Sequence, residues 1–146
     1  MYLKITVIIV TYNRSELLKT TLEALSCQSR QADEVVVVDN NSTDNTKRVA
    51  GSFHGRLPVK YVFEKMQGIA IARNSGIENS CGDIIVFTDD DCVPEKDWLK
   101  YIEVPFLRDP SIGLVGGKVL PYLKPEMNLV ERFSSAFHLL HESPKT

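Results

Sequence analysis

The sequence lacks both a long apolar run and an excess of charge of one sign. Its 146 residues include 17 Lys or Arg and 19 Asp or Glu, for a net charge of −2. A near-neutral chain has no general attraction to nucleic acid or anionic lipid, so any anion must be bound locally. The purely apolar runs, at residues 7–10 and 35–38, are far shorter than the ~20 residues of a membrane span. We therefore predict no transmembrane segment and no nucleic-acid partner.

Cysteine and histidine are also scarce. Cys27, Cys81 and Cys92 form no CxxC pair and have no companion histidine at metal-ligand spacing, which predicts free thiols in a reducing compartment. His138 and His141 lack a third ligand pattern, so a solvated helix face is the favoured interpretation over a metal site. The first residues resemble a strand rather than a signal peptide, since no small-residue cleavage site follows the apolar run. These features predict a cytoplasmic protein.

Short β-rich runs alternate with longer helical patterns, which indicates an α/β fold with a mainly parallel sheet. The predicted strands are residues 4–10, 34–39, 59–64, 84–88 and 112–119. The first predicted helix is capped by Ser15 and has a core stripe of Leu17, Leu18, Leu22 and Leu25, and the second is short and capped by Ser42 or Thr43. The third covers residues 68–79. The fourth covers residues 97–101, where Pro105 is expected to end or kink the helix, and the fifth covers residues 127–141. The last helix is amphipathic and provides a possible surface for a homo-oligomer.

The strongest chemical signal is a run of three acids, Asp89, Asp90 and Asp91, directly after an apolar strand. Adjacent carboxylates repel one another, and a divalent cation stabilises them. If the strand continued, Asp89 and Asp91 would point to one side about 7 Å apart at Cα, at ~3.3 Å per residue, while Asp90 would point away. We expect Asp89 and Asp91 to bind Mg²⁺ or Mn²⁺, with phosphate oxygens of a ligand completing the coordination. The alternative is an acidic loop that caps the next helix.

Two more polar clusters follow predicted strands. Asp39 comes after the second strand and can accept hydrogen bonds from a ribose or a base, although a helix cap is an equal alternative. Thr11, Tyr12 and Arg14 come after the first strand and offer an aromatic face for a base and a cation for phosphate. In open α/β sheets, ligands bind at the carboxyl ends of the strands. All three clusters are predicted at that edge, so we expect one binding site there.

Three segments together resemble the nucleotide-sugar-binding half of family 2 glycosyltransferases, which have the GT-A fold. They are VIIVTYNRSELLKTTLEAL, VVVVDNNSTDNT and GIAIARNSGIENSCGDIIVFTDDDCVPEKDWL. The resemblance covers about residues 4–120. It implies a three-layer α/β/α architecture within one domain, residues 1–146, in which residues 121–146 begin an acceptor-side segment and the chain is a truncated form of a longer enzyme.

The resemblance also implies roles for individual residues. Thr11, Tyr12 and Asp39 would hold the nucleoside, and Arg73 would lie near the pyrophosphate or base. Asp89, Asp90 and Asp91 form the DxD motif, which binds metal and ribose. The donor would be a UDP-, GDP- or dTDP-sugar and the cofactor Mn²⁺ or Mg²⁺.

The implied reaction is metal-dependent, inverting transfer of a sugar to a glycan, lipid or other hydroxyl acceptor, in cell-surface polysaccharide or cell-wall synthesis. The resemblance places the general base downstream of the DxD motif, and no acid after Asp91 has a matching context. We therefore expect donor binding by this chain with weak or no transfer. A lipid-linked acceptor would bring the protein to the inner face of the membrane as a peripheral protein.

Two alternatives use the same residues differently. One is a non-catalytic nucleotide-sugar-binding module. The other follows from residues 87–93, which fit the acidic motif of haloacid-dehalogenase-like phosphatases. In that superfamily the motif follows the first strand, whereas here it follows the fourth predicted strand, so the phosphatase is the weaker alternative.

Overall fold

A computed structural model describes residues 2–120. The elements in that range are β1 (Ile5–Thr11), α1 (Ser15–Ser26), β2 (Glu34–Asp39), α2 (Thr46–Ser52), β3 (Val59–Phe63), α3 (Ile69–Glu78), β4 (Ile84–Asp89) and α4 (Trp98–Arg108). The strands form one parallel sheet in the order β3-β2-β1-β4. All of these elements lie in a compact unit of residues 1–115. The predicted α/β class and the parallel sheet are confirmed.

The two faces of the sheet have separate apolar cores, which makes the architecture α/β/α. On one face, Val7 and Ile9 of β1 belong to a buried cluster with Leu18 of α1 and Leu99 of α4. On the other face, Ile8 belongs to a smaller cluster that includes residues 36 and 38 of β2 and residue 72 of α3. A parallel strand covered on both faces is apolar throughout, which is why the β1 and β2 runs lack alternation.

The predicted stripe of α1 is wrong at one position. Leu18, Leu22 and Leu25 are buried, but Leu17 is 44% exposed, and Thr21 takes the fourth buried position. Successive helical residues lie about 100° apart, so Leu17 and Leu18 do not both face the sheet squarely.

The predicted strand at residues 112–119 is absent from the described residues, where this segment is irregular. Its apolar side chains are exposed, at 90% for Leu114 and 69% for Val119. Gly113, Gly116 and Gly117 leave little side-chain surface to pack on a sheet, so local β propensity alone does not produce a strand.

The prediction of a helix end at Pro105 is also wrong, because α4 continues to Arg108 with Pro105 inside it; the alternative prediction, a kink at Pro105, stays a prediction. Proline there removes one backbone hydrogen bond, at a cost of about 3 kcal/mol. The buried side chain of Leu99 and the packing of Ile102 and Phe106 against the core offset that cost.

No helix in residues 2–120 is long and apolar enough to cross a membrane. The predicted helix at residues 127–141, with His138, His141 and the possible oligomer surface, lies outside the described residues.

The helical glycines Gly76 and Gly51 give a matched stability test. A Cβ on Gly76 would lie 2.6 Å from Ile8 Cγ2 and 3.2 Å from Val38 Cγ2, whereas a Cβ on Gly51 would have no atom within 4 Å. We expect Gly76→Ala to lower the free energy of unfolding by about 1–3 kcal/mol through overpacking. Gly51→Ala should raise it by about 0.5–1 kcal/mol through helix propensity. Urea denaturation measures both, and equal effects would contradict the close packing of α3 on the sheet.

Candidate functional site

The polar segments after β1, β2 and β4 meet at one edge of the sheet. The strand register pairs Thr11 with Asp39 and Val10 with Asp89. An open pocket of about 330 Å³ lies there. It is lined by Val10, Thr11, Tyr12, Arg14, Asn40, Ile69, Asp89, Asp90 and Asp91. This is the carboxyl edge of the parallel strands, where α/β folds bind ligands.

The acidic run forms a turn rather than a continued strand. β4 ends at Asp89, and the Cys92 N–H donates to the Asp89 carbonyl at 3.3 Å. The turn gathers one side-chain ligand atom each from Asp89, Asp91 and Cys92 within 4.8 Å of one another. The spacing derived from an extended strand therefore does not apply, although Asp89 and Asp91 do come together.

A buried hydroxyl fixes the backbone of this turn. Thr21 of α1 is fully buried, and its Oγ1 lies 2.8 Å from the carbonyl oxygens of both Asp90 and Cys92. One hydroxyl proton is thus shared between two carbonyls of the turn. Neither residue spacing nor charge in the sequence marked Thr21, because its partners are backbone atoms about 70 residues away.

Asp90 points inward and is 4% exposed, while Asp89 and Asp91 are exposed. Burial raises the pKa of the Asp90 carboxyl, and the neighbouring Arg14 guanidinium opposes that rise. The buried Thr11 Oγ1 has no hydrogen-bond partner among the described residues 2–120. The site therefore has one inward carboxylate facing the protein and two outward carboxylates facing the pocket.

The chemistry of the outward groups fits a hard divalent cation. Asp89 and Asp91 offer exposed carboxylate oxygens, the ligands that Mg²⁺ and Mn²⁺ prefer. Burial raises the pKa of the Cys92 thiol, so sulfur is protonated at neutral pH and is a poor ligand. Cys92 is a pocket neighbour that the cysteine pattern in the sequence did not reveal.

Two arginines balance the acidic turn. Arg14 Nη1 lies 3.2 Å from Asp90 Oδ1 and 3.6 Å from Asp91 Oδ2. Arg73 Nη2 lies 3.6 Å from Asp89 Oδ1, with its guanidinium over the Phe87 ring. Both arginines were predicted from the sequence. The structure adds that each contacts the acidic turn.

Asp39 is 2% exposed and is not among the residues that line the pocket. Its Oδ1 accepts the Ser42 N–H at 2.8 Å, and its Oδ2 accepts the Tyr61 hydroxyl at 2.7 Å. Burial and the adjacent carboxylate raise the pKa of Tyr61. Asp39 thus ties the end of β2 to β3 and to the loop before α2. The sequence did not mark Tyr61 as a residue of the site, since tyrosine is an ordinary residue within a strand.

Asn40 lines the pocket and organises the loop that enters α3. Its Nδ2 donates to the Met66 carbonyl at 2.7 Å and to the Glu64 carbonyl at 3.3 Å, and its Oδ1 accepts the Gly68 N–H at 2.9 Å. Gly68 has a φ of 151°, which favours glycine. Asn40 therefore fixes the β3–α3 loop beside Ile69, another pocket residue missed in the sequence.

The loops after β1 and β2 are fastened to each other. Asn13, at a left-handed φ of 51°, donates its N–H to Ser42 Oγ and accepts the Thr43 N–H at Oδ1. Asp44 accepts the Ser15 N–H at Oδ2 and the Thr46 N–H at Oδ1. Asp44 thus caps both α1 and α2. The predicted caps Ser15, Ser42 and Thr43 are wrong, because neither helix has a cap bond from its own N-cap side chain.

Asp44 predicts a pH dependence of stability. Burial opposes its ionisation, but hydrogen bonds from Thr46 and Ser15 outweigh burial and lower the pKa to about 2. Because the folded pKa lies below the unfolded value of ~3.9, this stabilisation is complete above about pH 5 and is lost as the pH falls through the folded pKa of about 2. We expect Asp44→Ala to cost about 1–2 kcal/mol at pH 7, as for lost helix caps. The difference from wild type should shrink between about pH 5 and pH 2, as measured by urea unfolding; a constant difference would contradict the capping role.

The structure brings Thr11, Tyr12, Arg14, Asp89, Asp90 and Asp91 together in the pocket wall. Arg73 reaches Asp89 from α3, and Asp39 is not among the residues that line the pocket. The acidic motif follows β4 and not the first strand of the sheet, which disfavours the phosphatase alternative.

Known proteins are similar to this chain in sequence and in fold. The chain is 38% identical to the glycosyltransferase AglE of Haloferax volcanii over 120 residues, which are 79% of this chain and 39% of that protein. Its structure resembles the mannosyltransferase PcManGT from Pyrobaculum calidifontis, solved with GDP-Man and Mn²⁺, at 33% identity and a TM-score of 0.69 over 77% of this chain and 34% of the other. It also resembles residues 1–349 of S. aureus TarS, solved with UDP, at 28% identity and a TM-score of 0.68, over 72% and 32% of the two chains.

The chain thus spans about two fifths of AglE and about one third of these solved chains. The sequence model described as glycosyl transferase family 2 matches residues 6–126. The structural neighbours named above are glycosyltransferases of the GT-A fold. The chain belongs to the family 2 glycosyltransferases.

Proposed function

We propose that the pocket binds a nucleoside-diphosphate sugar together with Mn²⁺ or Mg²⁺, and that the protein transfers the sugar to a hydroxyl acceptor. One observation carries this proposal: Asp89 and Asp91 present converging carboxylates at the carboxyl edge of a parallel sheet. PcManGT with GDP-Man and Mn²⁺ and TarS with UDP, both of similar fold, support it.

The donor's parts match separate groups in the pocket. The Tyr12 ring is 49% exposed at the pocket wall and offers an apolar face for a base. The buried Thr11 hydroxyl, which has no partner in the described part of the chain, is a donor or acceptor for the nucleoside. Asp39 supports the nucleoside side of the site through Ser42 and Tyr61.

The diphosphate belongs near the acidic turn and its arginines. When bound, the divalent cation supplies charge neutralisation to the leaving diphosphate. Arg14 and Arg73 lie within 3.6 Å of the acids, where their guanidinium groups can donate to phosphate oxygens. Asp90 faces inward toward Arg14 and fixes the turn.

The wider role is also part of the proposal. The donor is a UDP-, GDP- or dTDP-sugar, and the acceptor is a glycan or a lipid-linked glycan in cell-surface polysaccharide or cell-wall synthesis. Transfer proceeds with inversion, in the cytoplasm or at the inner face of the membrane. Residues 4–120 form the donor-binding part in this proposal, and the phosphatase and non-catalytic alternatives are set aside.

A thermal-shift panel of nucleotide sugars tests the proposal. UDP-, GDP- and dTDP-sugars are added with Mn²⁺ or with EDTA. A ligand present at 100 times its Kd stabilises the fold by about 2.7 kcal/mol. We expect the nucleotide sugar of one base to raise the melting temperature of the protein in Mn²⁺ and to lose most of that effect in EDTA. No stabilisation by any of the donors in Mn²⁺ would contradict the proposal.

A further inference from the structure

Arg14 holds an unusual position for a residue expected to bind phosphate. Its guanidinium contacts two carboxylates, at 3.2 Å from Asp90 and 3.6 Å from Asp91. The Arg14 side chain is 55% exposed, and that of Asp90 is 5% exposed. Arg14 is therefore held at one end by a buried acid, while the rest of the side chain faces the open pocket.

The contact between Arg14 and Asp91 competes with the proposed function, because both use the Asp91 carboxylate. Asp91 is exposed, and the proposed site uses its carboxylate for a divalent cation. A guanidinium and a divalent cation on the same carboxylate repel each other, because both are positive and only a few ångströms apart. Each of the two positive groups therefore weakens the hold of the other on Asp91. The exposed Arg14 side chain has room to move, whereas Thr21 pins the backbone of the turn.

Resting on the proposed function, we propose that Arg14 exchanges partners within the site. It leaves Asp91 when a divalent cation binds there and donates instead, from Nη2 or Nε, to the diphosphate of the donor, while Asp90 keeps its contact with Nη1. Arg14 thus opposes the cation in the absence of nucleotide and favours the diphosphate once the cation is present. The cation and the nucleotide therefore bind with positive coupling that passes through Arg14.

This exchange has a measurable thermodynamic consequence. Coupling is reciprocal, so the factor by which nucleotide tightens the cation equals the factor by which the cation tightens nucleotide. Removing the Arg14 charge should strengthen cation binding alone and weaken nucleotide binding in the presence of the cation. Both changes reduce the coupling factor, and a role limited to phosphate binding would produce only the second.

The experiment compares wild type with Arg14→Gln by calorimetric titration of the whole chain. Three titrations are made: Mn²⁺ alone, UDP or GDP alone, and the nucleotide in saturating Mn²⁺. For Arg14→Gln we expect Mn²⁺ alone to bind at least about threefold tighter and the coupling factor to fall about tenfold, within the usual range of 5–150-fold for such couplings. Arg14→Lys keeps the charge without the planar fork and should lie between the two.

The controls separate this inference from the proposed function. Arg48→Gln removes an exposed arginine of α2 that does not line the pocket and should leave every titration unchanged. If wild type binds neither Mn²⁺ nor nucleotide, the proposed function fails. If wild type binds both, but Arg14→Gln binds Mn²⁺ alone no tighter and keeps the coupling factor, only the exchange is overturned. Circular dichroism checks that Arg14→Gln is folded.

Discussion

Asp91→Asn should remove most of the metal-dependent affinity for a nucleoside diphosphate. The substitution keeps the shape of the side chain but removes the charge of an exposed carboxylate that converges with Asp89. Without the charge that holds the cation, the attraction of the cation for the diphosphate is lost, and each 1.4 kcal/mol lost corresponds to a factor of ten in affinity. We expect the Kd for UDP or GDP in Mn²⁺ to rise about 100-fold or more, measured by calorimetry.

Glu23→Gln is a matched control for that change. Glu23 is an exposed acid of α1 and does not line the pocket, so its removal should leave the Kd within about twofold, as for a screened surface charge. Without Mn²⁺, Asp91→Asn should bind the nucleotide at least as tightly as wild type, because one negative charge beside the diphosphate is removed. Unchanged Mn²⁺-dependent binding in Asp91→Asn would show that the acidic turn does not hold the cation.

Asp39→Ala should be the most destabilising change near the site. The Asp39 carboxylate is the acceptor for the Ser42 N–H and the Tyr61 hydroxyl and is 2% exposed. Removing it leaves both donors without their partner, at a cost of about 1–3 kcal/mol for each buried group. We expect the free energy of unfolding to fall by about 3 kcal/mol, measured by urea denaturation.

Asp39→Asn separates this structural role from charge. Asparagine has the same shape, can accept the Ser42 N–H at Oδ1 and can donate Nδ2–H to the Tyr61 oxygen. It should therefore cost less than about 1 kcal/mol, since both hydrogen bonds persist. Equal losses in Asp39→Ala and Asp39→Asn would contradict the geometry. Weaker nucleotide binding by folded Asp39→Asn would show that the charge of Asp39 also contributes to nucleoside binding.

Strands β1 and β2 were predictable because burial on both faces leaves an unmistakable apolar run. β2 has the predicted bounds, and β1 and β4 differ from prediction by a residue at their ends. Their carboxyl ends then place Asp39 and Asp89 at one edge whatever the details of the loops. The placement of the acidic run at a strand end was therefore accessible from the sequence alone.

The helix caps were not predictable, because the capping groups come from elsewhere in the chain. Asp44 caps α1 from the β2–α2 loop, across 29 residues. Sequence rules expect the cap at the N-cap residue of the same helix, and Ser15 fitted that rule. The end of α4 was not predictable either, because the packing of residues 102 and 106 against the core outweighs the tendency of Pro105 to break a helix.

The site itself was predictable in its charged residues but not in its supports. Carboxylates and arginines stand out after apolar strands, which identified Arg14 and Asp91, whereas the family resemblance identified Arg73 on α3. Thr21, Asn40 and Tyr61 act through hydrogen bonds to backbone or to distant side chains. Such partners depend on the folded backbone and leave no periodic or compositional signal.

Paramagnetic broadening of amide resonances by Mn²⁺, in the presence of UDP or GDP, tests the central claim most directly. The account predicts selective broadening of the residues around Asp89, Asp91 and Cys92 and of the facing residues 11–14, while α2 serves as the internal reference. Asp91→Asn should remove most of that broadening. Uniform broadening, or broadening centred on other acids with residues 89–92 unaffected, would contradict a metal-dependent donor site at this edge of the sheet.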